Sequence, residues 1–346
     1  MPLISIALPV FNGADFLAEA LDSILTQDFG DFELVVADNA STDGTPAIIV
    51  ERLRKDSRVR HERASATVSQ VANTNRAADL CRGEWIQFFC HDDVMAPGCL
   101  TRVAGELAGA DATLGLIGHG TGLLYGRRVY VDAEDIFDGK PRAYAGAAAL
   151  RTVSPPALAP GRVHDGRLMV QAMLNGRPVE EVPGLTNACV RRTAWKRLGG
   201  FDERFMHFDT FGWAGLLLHW NYLFLPGTFT LTRIHGAQVA VAARKTLRSV
   251  SDHRSFWPEF RTGPARHLAT GWRPPVVGFL KAVSIGASAI ATEILKGQRA
   301  RAWEVARMMP ATFWPWLPFL VARNWRTQSG RIVRLKDYLT LDEIWP

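Results

Sequence analysis

A chain of 346 residues, 47% hydrophobic and 21% charged, carries enough apolar side chains for a sizeable core, which excludes global disorder. Four cysteines, Cys81, Cys90, Cys99 and Cys189, form no CxxC pair and are too sparse for a disulfide framework, so a reducing compartment is expected. The net charge of +6 is uneven: from Arg244 onward 17 Lys and Arg face 7 Asp and Glu, so a mildly acidic front leads into a strongly basic tail suited to an anionic partner.

Residues 3–8 form an apolar run with no basic stretch or small-residue cleavage site ahead of it. Too short to span a bilayer, the run predicts a first buried strand in a cytoplasmic protein. Residues 14–25 place Phe16, Leu17, Ala20, Leu21 and Ile24 on one helical stripe, and 32–37 read as the second strand. Thr45-Pro46 has the pattern of an N-cap and first helical residue, opening a helix that ends near Arg54. A short strand at 58–61, a helix at 68–81, an apolar strand at 85–90, a helix from Pro97 to Leu107 and a strand at 114–118 follow. This alternation predicts an α/β fold, a mostly parallel sheet with helices on both faces. Residues 119–185, scattered with Gly, Pro and Ala, read as strands and loops over the sheet edge. Helices are expected at 187–198 and 209–220, and strands at 222–225 and 229–234. Beyond 244 the pattern turns helical and rich in Trp.

Sheets of this kind bind ligands at the carboxyl ends of their strands. The first strand is followed by Pro9-Val10-Phe11-Asn12, the second by Asp38-Asn39-Ala40-Ser41-Thr42-Asp43-Gly44, and the strand at 85–90 by His91-Asp92-Asp93. At a strand end, the Asp38 carboxylate can accept a hydrogen bond from the imide N–H of a pyrimidine base, although Asp, Asn, Ser and Gly equally suit a plain turn. Asp92 and Asp93 offer the hard oxygens that Mg2+ or Mn2+ prefers, or a solvated turn ahead of Pro97. Asp209, at a helix start, reads either as an N-cap or as a general base. Arg233 and His235, two apart at a strand end, can share a face and hold phosphate or metal.

Taken in order, Pro9-Val10-Phe11-Asn12-Gly13, Asp38 to Thr45, Asn75 with Arg82-Gly83-Glu84-Trp85-Ile86, His91-Asp92-Asp93, Gly199-Gly200-Phe201-Asp202-Glu203 and Arg233-Ile234-His235 form a string that resembles glycosyltransferase family 2, inverting enzymes of GT-A fold. The resemblance covers residues 3–240. It implies a catalytic unit at 1–243, with a nucleotide-binding half at 1–120 and an acceptor half at 121–243, followed by a helical extension at 244–346. It further implies that Pro9, Phe11, Asn12, Asp38, Asn39, Ser41, Asn75 and Arg233 bind the nucleotide. Asp92, Asp93 and His235 would hold a divalent metal, Mg2+ or Mn2+, and Asp209 would be the base. The sequence departs from the family at Cys90, where the first Asp of the metal motif is usual, at Phe208, where an acidic residue is common, and at Thr67 and Ser69, which replace a frequent Asn and Gly.

The implied reaction moves a sugar from a nucleoside-diphosphate sugar to a hydroxyl of a glycan or lipid-linked acceptor, in bacterial cell-surface polysaccharide or glycolipid synthesis. A non-catalytic sugar-nucleotide-binding or scaffold protein of the same fold is the alternative, kept open by Cys90. A dehydrogenase is disfavoured because only Gly13 of a G-x-G-x-x-G pattern is present. A nucleotidyltransferase is disfavoured by the lack of a Gly-rich basic loop after the first strand, and nucleic acid by the lack of recognition motifs. In the tail, residues 275–295 are apolar but interrupted by Lys281 and Glu293, and 308–325 mix Trp, Phe and Arg. These patterns suit either a packed helical extension or peripheral contact with an anionic membrane on its inner face.

Overall fold

The computed structural model describes residues 1–125, 128–130, 161–174, 182–234, 248–268, 290 and 299–308. In chain order, the front carries β1 (Ile4–Val10), α1 (Ala14–Leu25), β2 (Phe32–Asp38), α2 (Thr45–Lys55), β3 (Val59–Arg63), α3 (Gln70–Asp79), β4 (Trp85–Phe88), β5 (Val94–Met95), α4 (Cys99–Leu107), β6 (Leu114–Tyr125) and β7 (Arg128–Tyr130). There follow β8 (Val163–His164), α5 (Gly166–Leu174), a single 3-10 turn at Leu185–Asn187, β9 (Ala188–Arg191), α6 (Arg192–Leu198), α7 (Phe208–Leu217), β10 (Asn221–Ile234), α8 (Arg248–Thr262) and α9 (Arg299–Met308).

The strands join in one sheet of order β3-β2-β1-β4-β9-β6-β10-β5, with β7 on β6 and β8 on β10. β3, β2, β1 and β4 pair in parallel. β9 runs antiparallel to both β4 and β6, so β6, and β10 parallel to it, point the same way as β1. The expected mostly parallel sheet is therefore present, with one reversed strand at its centre. Its two faces bury separate cores. Ile4, Ile6, Leu8, Leu34 and Val36 pack under α1, α2 and α4 through residues such as Leu21, Ile49 and Val103. Val35, Ala37, Ile86 and Phe88 face α3 and α5–α8 through Ala77, Val170, Trp195, Trp213 and Trp257. Strands buried on both faces need continuous apolar runs, which is why β1 and β2 read as such.

Two sequence expectations change. The helix expected at 187–198 begins only at Arg192, because Ala188, Cys189 and Val190 are spent as β9. A three-residue apolar segment has no readable period, and the slot between β4 and β6 decides its conformation by burying it completely. The two strands expected at 222–225 and 229–234 are one strand, β10, whose register against β6 shifts between Leu225 and Thr230. At the shift, a Cβ on Gly120 would lie 2.2 Å from the Gly227 carbonyl oxygen, so the close approach requires glycine. The candidate membrane segments at 275–295 and 308–325 lie outside the described residues, apart from Ile290 and Met308.

A buried polar knot ties the nucleotide side together. Glu33 on β2 accepts the Ser5 hydroxyl at 2.6 Å, Arg60 at 2.8 Å and the Arg82 backbone N–H at 2.7 Å. Burial works to raise the Glu33 carboxyl, but the bonds from Ser5, Arg60 and Arg82 outweigh it and hold the group below its ordinary range.

Candidate active site

β1 and β2 end in register, Val10 beside Asp38, so their following loops start side by side. The loops are then stitched together. The Asn39 N–H donates to the Val10 carbonyl at 2.9 Å, the Asn12 N–H to the Ser41 hydroxyl at 2.9 Å, and the Thr42 N–H to the Asn12 side-chain oxygen at 2.8 Å. Gly13 N–H reaches the Thr45 hydroxyl at 2.9 Å and Ala14 N–H the Asp43 carboxylate at 3.1 Å. Asn12 and Ala40 take left-handed backbone, with φ of 48° and 59°. For a non-glycine residue that conformation costs about 1–2 kcal/mol, which the surrounding bonds must offset. The result is a cradle set before any ligand arrives.

Within it, Asp38 is fully buried, with one oxygen accepting the Ser41 N–H at 2.9 Å and the other Arg63 at 3.1 Å. Each carboxylate oxygen has a second lone pair, so Asp38 keeps accepting capacity. The Asn39 amide closes a pair of 2.9 Å bonds with the backbone N–H and carbonyl of Val68, which pins the loop carrying Thr67 to the cradle. Ser69 caps α3 by accepting the Ala72 N–H at 3.0 Å. Pro9 is partly exposed, and the Phe11 ring is 45% exposed, unusual for so large an apolar group.

Asn75 links two elements. Its amide accepts the Phe201 N–H at 2.8 Å and donates to the Phe201 carbonyl at 2.9 Å, so it fastens α3 to the Gly199-Gly200-Phe201 turn. A primary amide matches a backbone N–H and C=O in both directions, which makes this a structural clasp.

After β4 the chain turns through Cys90, His91, Asp92 and Asp93. A Cβ on Gly13 would lie 2.4 Å from the His91 ring, so a glycine in the first loop lets this turn close against it. Asp93 is buried; one oxygen takes the Thr186 hydroxyl and the other the Arg233 backbone N–H at 2.9 Å. The same Thr186 oxygen accepts the Cys90 N–H at 3.2 Å, so one hydroxyl braces the whole turn. Burial and the neighbouring Asp92 charge push the Asp93 carboxyl up. Burial, followed by the charges of Asp93 and Asp92, raises the Cys90 thiol well above its ordinary range.

Arg233 ties several elements together. Only 4% exposed, its guanidinium donates to the Asp92 carbonyl at 2.9 Å and to Glu19 at 2.7 Å, and stands over the Phe16 ring at 4.8 Å. Its guanidinium joins β10, α1 and the acidic turn. His235 lies outside the described residues.

Ligand atoms of Cys90, Asp92 and Asp93 fall within 4.8 Å of one another. The two carboxylates supply the hard oxygens a Mg2+ or Mn2+ ion takes, whereas a protonated, desolvated thiol does not. With both Asp93 oxygens hydrogen-bonded, the more exposed Asp92 fits as the principal ligand, with Asp93 behind it.

Asp209 occupies the first turn of α7, after the N-cap residue His207. One of its oxygens accepts the Thr210 N–H at 2.7 Å. Burial raises its carboxyl, partly offset by the Thr210 N–H and by His207. Its charge is among those acting on the Cys90 thiol, so α7 sets Asp209 within electrostatic reach of the acidic turn. Phe208, at the position where an acidic residue is common in the family, is buried against Phe201 with ring centroids 5.1 Å apart; it anchors the helix start.

Residues 5–144 match the family model described as Glycosyl transferase family 2. An uncharacterized protein of Mycobacterium tuberculosis is 27% identical over 254 residues, 73% of this chain and 74% of its own length. The GalNAc(5)-diNAcBac-PP-undecaprenol beta-1,3-glucosyltransferase of Campylobacter jejuni is 31% identical over 102 residues, 29% of this chain and 33% of its own. This chain thus spans about three quarters of the first relative and a third of the second. Among solved structures, a mannosyltransferase from Pyrobaculum calidifontis, in complex with GDP-Man and Mn2+, has the same fold, with a TM-score of 0.55 at 18% identity over 98% of this chain and 88% of its own. The matched region holds the strand-end loops and the acidic turn, and the likeness of fold runs on through the second half; residues 5–144 carry the glycosyl transferase family 2 pattern, and the chain is a glycosyltransferase of GT-A fold.

Proposed function

We propose that this protein moves a sugar from a nucleoside-diphosphate sugar to an acceptor hydroxyl in one displacement, inverting the anomeric centre. The observation that carries this reading is a half-buried carboxylate, Asp209, within electrostatic reach of the Cys90-Asp93 turn at the strand ends. A base and a diphosphate-handling site on opposite sides of one reacting carbon are what single displacement needs.

In this reading Pro9, Phe11, Asn12, Asp38, Asn39 and Ser41 hold the nucleotide. The exposed Phe11 ring offers a face to the base, and Asp38 accepts the base N–H. Asp92, backed by Asp93, stands toward the diphosphate. A divalent cation bound there, Mg2+ or Mn2+, neutralises charge on the leaving group. Asp209 takes the proton of the acceptor hydroxyl while that oxygen forms its bond to the anomeric carbon. The bond from that carbon to the diphosphate breaks with its electron pair on the departing nucleoside diphosphate. Residues 1–243 serve as the catalytic unit, with the donor held by the 1–120 half and the acceptor by the 121–243 half.

The Pyrobaculum calidifontis neighbour, in complex with GDP-Man and Mn2+, supports the donor and metal classes. The Campylobacter jejuni relative, named for a polyprenol-diphosphate-linked acceptor, supports a glycan or lipid-linked acceptor in bacterial cell-surface polysaccharide or glycolipid synthesis. Such an acceptor gives the basic extension a reason to meet the inner face of a membrane, with the protein itself cytoplasmic.

Thermal melts with UDP, GDP, dTDP and CMP, each with and without Mn2+, test the site, because a ligand that binds only the folded state must raise its melting temperature. One nucleoside diphosphate giving a Mn2+-dependent rise is expected. A folded protein indifferent to all four would move the reading to a non-catalytic scaffold.

A further inference from the structure

α8 opens the basic C-terminal segment, yet its buried face is aimed at the residues around Asp209. Asp252 and His253 are each 5% exposed, rare for charged or titratable groups on a helix that serves only as an appendage. One Asp252 oxygen accepts the Met206 backbone N–H at 2.6 Å, three residues ahead of Asp209. The His253 ring stacks on the His207 ring, with centroids 5.2 Å apart and planes at 29°. His207 is the N-cap residue of α7 and one of the groups acting on the Asp209 carboxyl. The Trp257 indole N–H donates to His253 Nδ1 at 3.0 Å, which fixes the imidazole proton on Nε2 and the ring in place. One turn further along α7, the Phe211 ring lies flat on Phe256 at 4.0 Å and 7°.

These contacts fall on both sides of Asp209, before it at Met206 and His207 and after it at Phe211. A helix start is otherwise the part of a helix most prone to fray, since its first N–H groups have no partner within the helix. A charge-assisted bond to a backbone N–H is among the stronger ways to hold such a segment. Burying a carboxylate for that purpose carries a desolvation cost that plain apolar packing would avoid.

We propose that Asp252 and His253 are positioning residues for Asp209: they fix the 206–209 segment, and with it the place of the Asp209 carboxylate against the acceptor hydroxyl. The inference rests on the reading of Asp209 as the base. It makes the first helix of the C-terminal segment a working part of the acceptor side rather than a tether.

The test compares Asp252→Ala with Asp252→Asn, whose amide oxygen can still accept the Met206 N–H. Three quantities are measured: release of nucleoside diphosphate from a panel of UDP- and GDP-sugars, binding of UDP and GDP with Mn2+ by calorimetry, and backbone hydrogen exchange. Asp252→Ala is expected to slow turnover at least tenfold while nucleotide Kd stays within twofold, and Asp252→Asn to recover to within threefold of wild type. Exchange of the amides at 206–210 should quicken tenfold in Asp252→Ala, with the nucleotide half unchanged. Wild-type turnover in Asp252→Ala would overturn the proposal, and so would a joint loss of turnover and nucleotide binding, which would make α8 a general support. Should wild-type protein release nucleotide from no donor, the transfer reading falls by itself. Exchange then decides the inference: unchanged protection at 206–210 in Asp252→Ala overturns it, and a local tenfold loss sustains the anchoring.

Discussion

Asp209 stands where a helix N-terminus favours negative charge, yet burial lifts its carboxyl above the ordinary range. A base works only when deprotonated, so the acidic limb of transfer should lie above the pH at which an exposed carboxylate would place it. Initial rates measured across pH test this; a limb at the ordinary carboxylate position would remove Asp209 from that role. Asp209→Asn should cut turnover by about 10²–10⁴-fold while nucleotide binding persists. Undiminished transfer would sink the assignment. Several of these candidate residues are legible in the sequence because they close or follow apolar runs: Asp38 at the end of β2, Asp92 and Asp93 after β4. The contacts of Asn75 and Arg233 are not, since their partners lie far along the chain: Phe201 for the first, Glu19 and the acidic turn for the second. Thr186 gives no sequence signal at all. Its hydroxyl acquires meaning only when the fold sets it between the Cys90 N–H and Asp93.

At the scale of elements, the front half is readable because β1 and β2 are buried on both faces and α1 carries a clean stripe, so period and burial agree. The centre is harder to read. β9 is four residues long and takes its conformation from the slot between β4 and β6. The polar knot that holds β1, β2 and β3 together gives a measurable consequence. Glu33 is held below its ordinary range in the folded state, so its contribution to stability is present above the unfolded carboxyl's range and is lost as pH falls through the lowered folded value. Glu33→Gln removes the charge that Arg60 meets and should cost about 1–3 kcal/mol near neutral pH. Denaturant titrations of the two proteins should converge at acid pH. A gap that persists there would mean that the loss comes from packing and not from the carboxylate.

Across the whole molecule, the charge is divided: a mildly acidic front and, from Arg244 onward, 17 Lys and Arg against 7 Asp and Glu. No helix among the described residues is long and apolar enough to cross a membrane. If the extension meets anionic lipid, each basic side chain near the surface contributes about 1 kcal/mol. Full-length protein should then sediment with phosphatidylserine vesicles, less so as salt rises, and removal of residues after 270 should abolish it. Protein that stays in the supernatant at low salt would end the membrane reading. The reversed strand has a different consequence, during synthesis. β4 pairs with β1 on one side, but its other edge takes Arg191, Val190 and Cys189 opposite Trp85, Ile86 and Gln87. The ribosome must add about 100 residues before that partner exists, which at about 5–20 residues per second is roughly 5–20 s. Through that interval an apolar strand shows an unpaired row of N–H and C=O groups to other nascent chains. Slower elongation across the stretch lengthens the exposure, so it should raise the yield of aggregate while leaving the finished enzyme as stable as before.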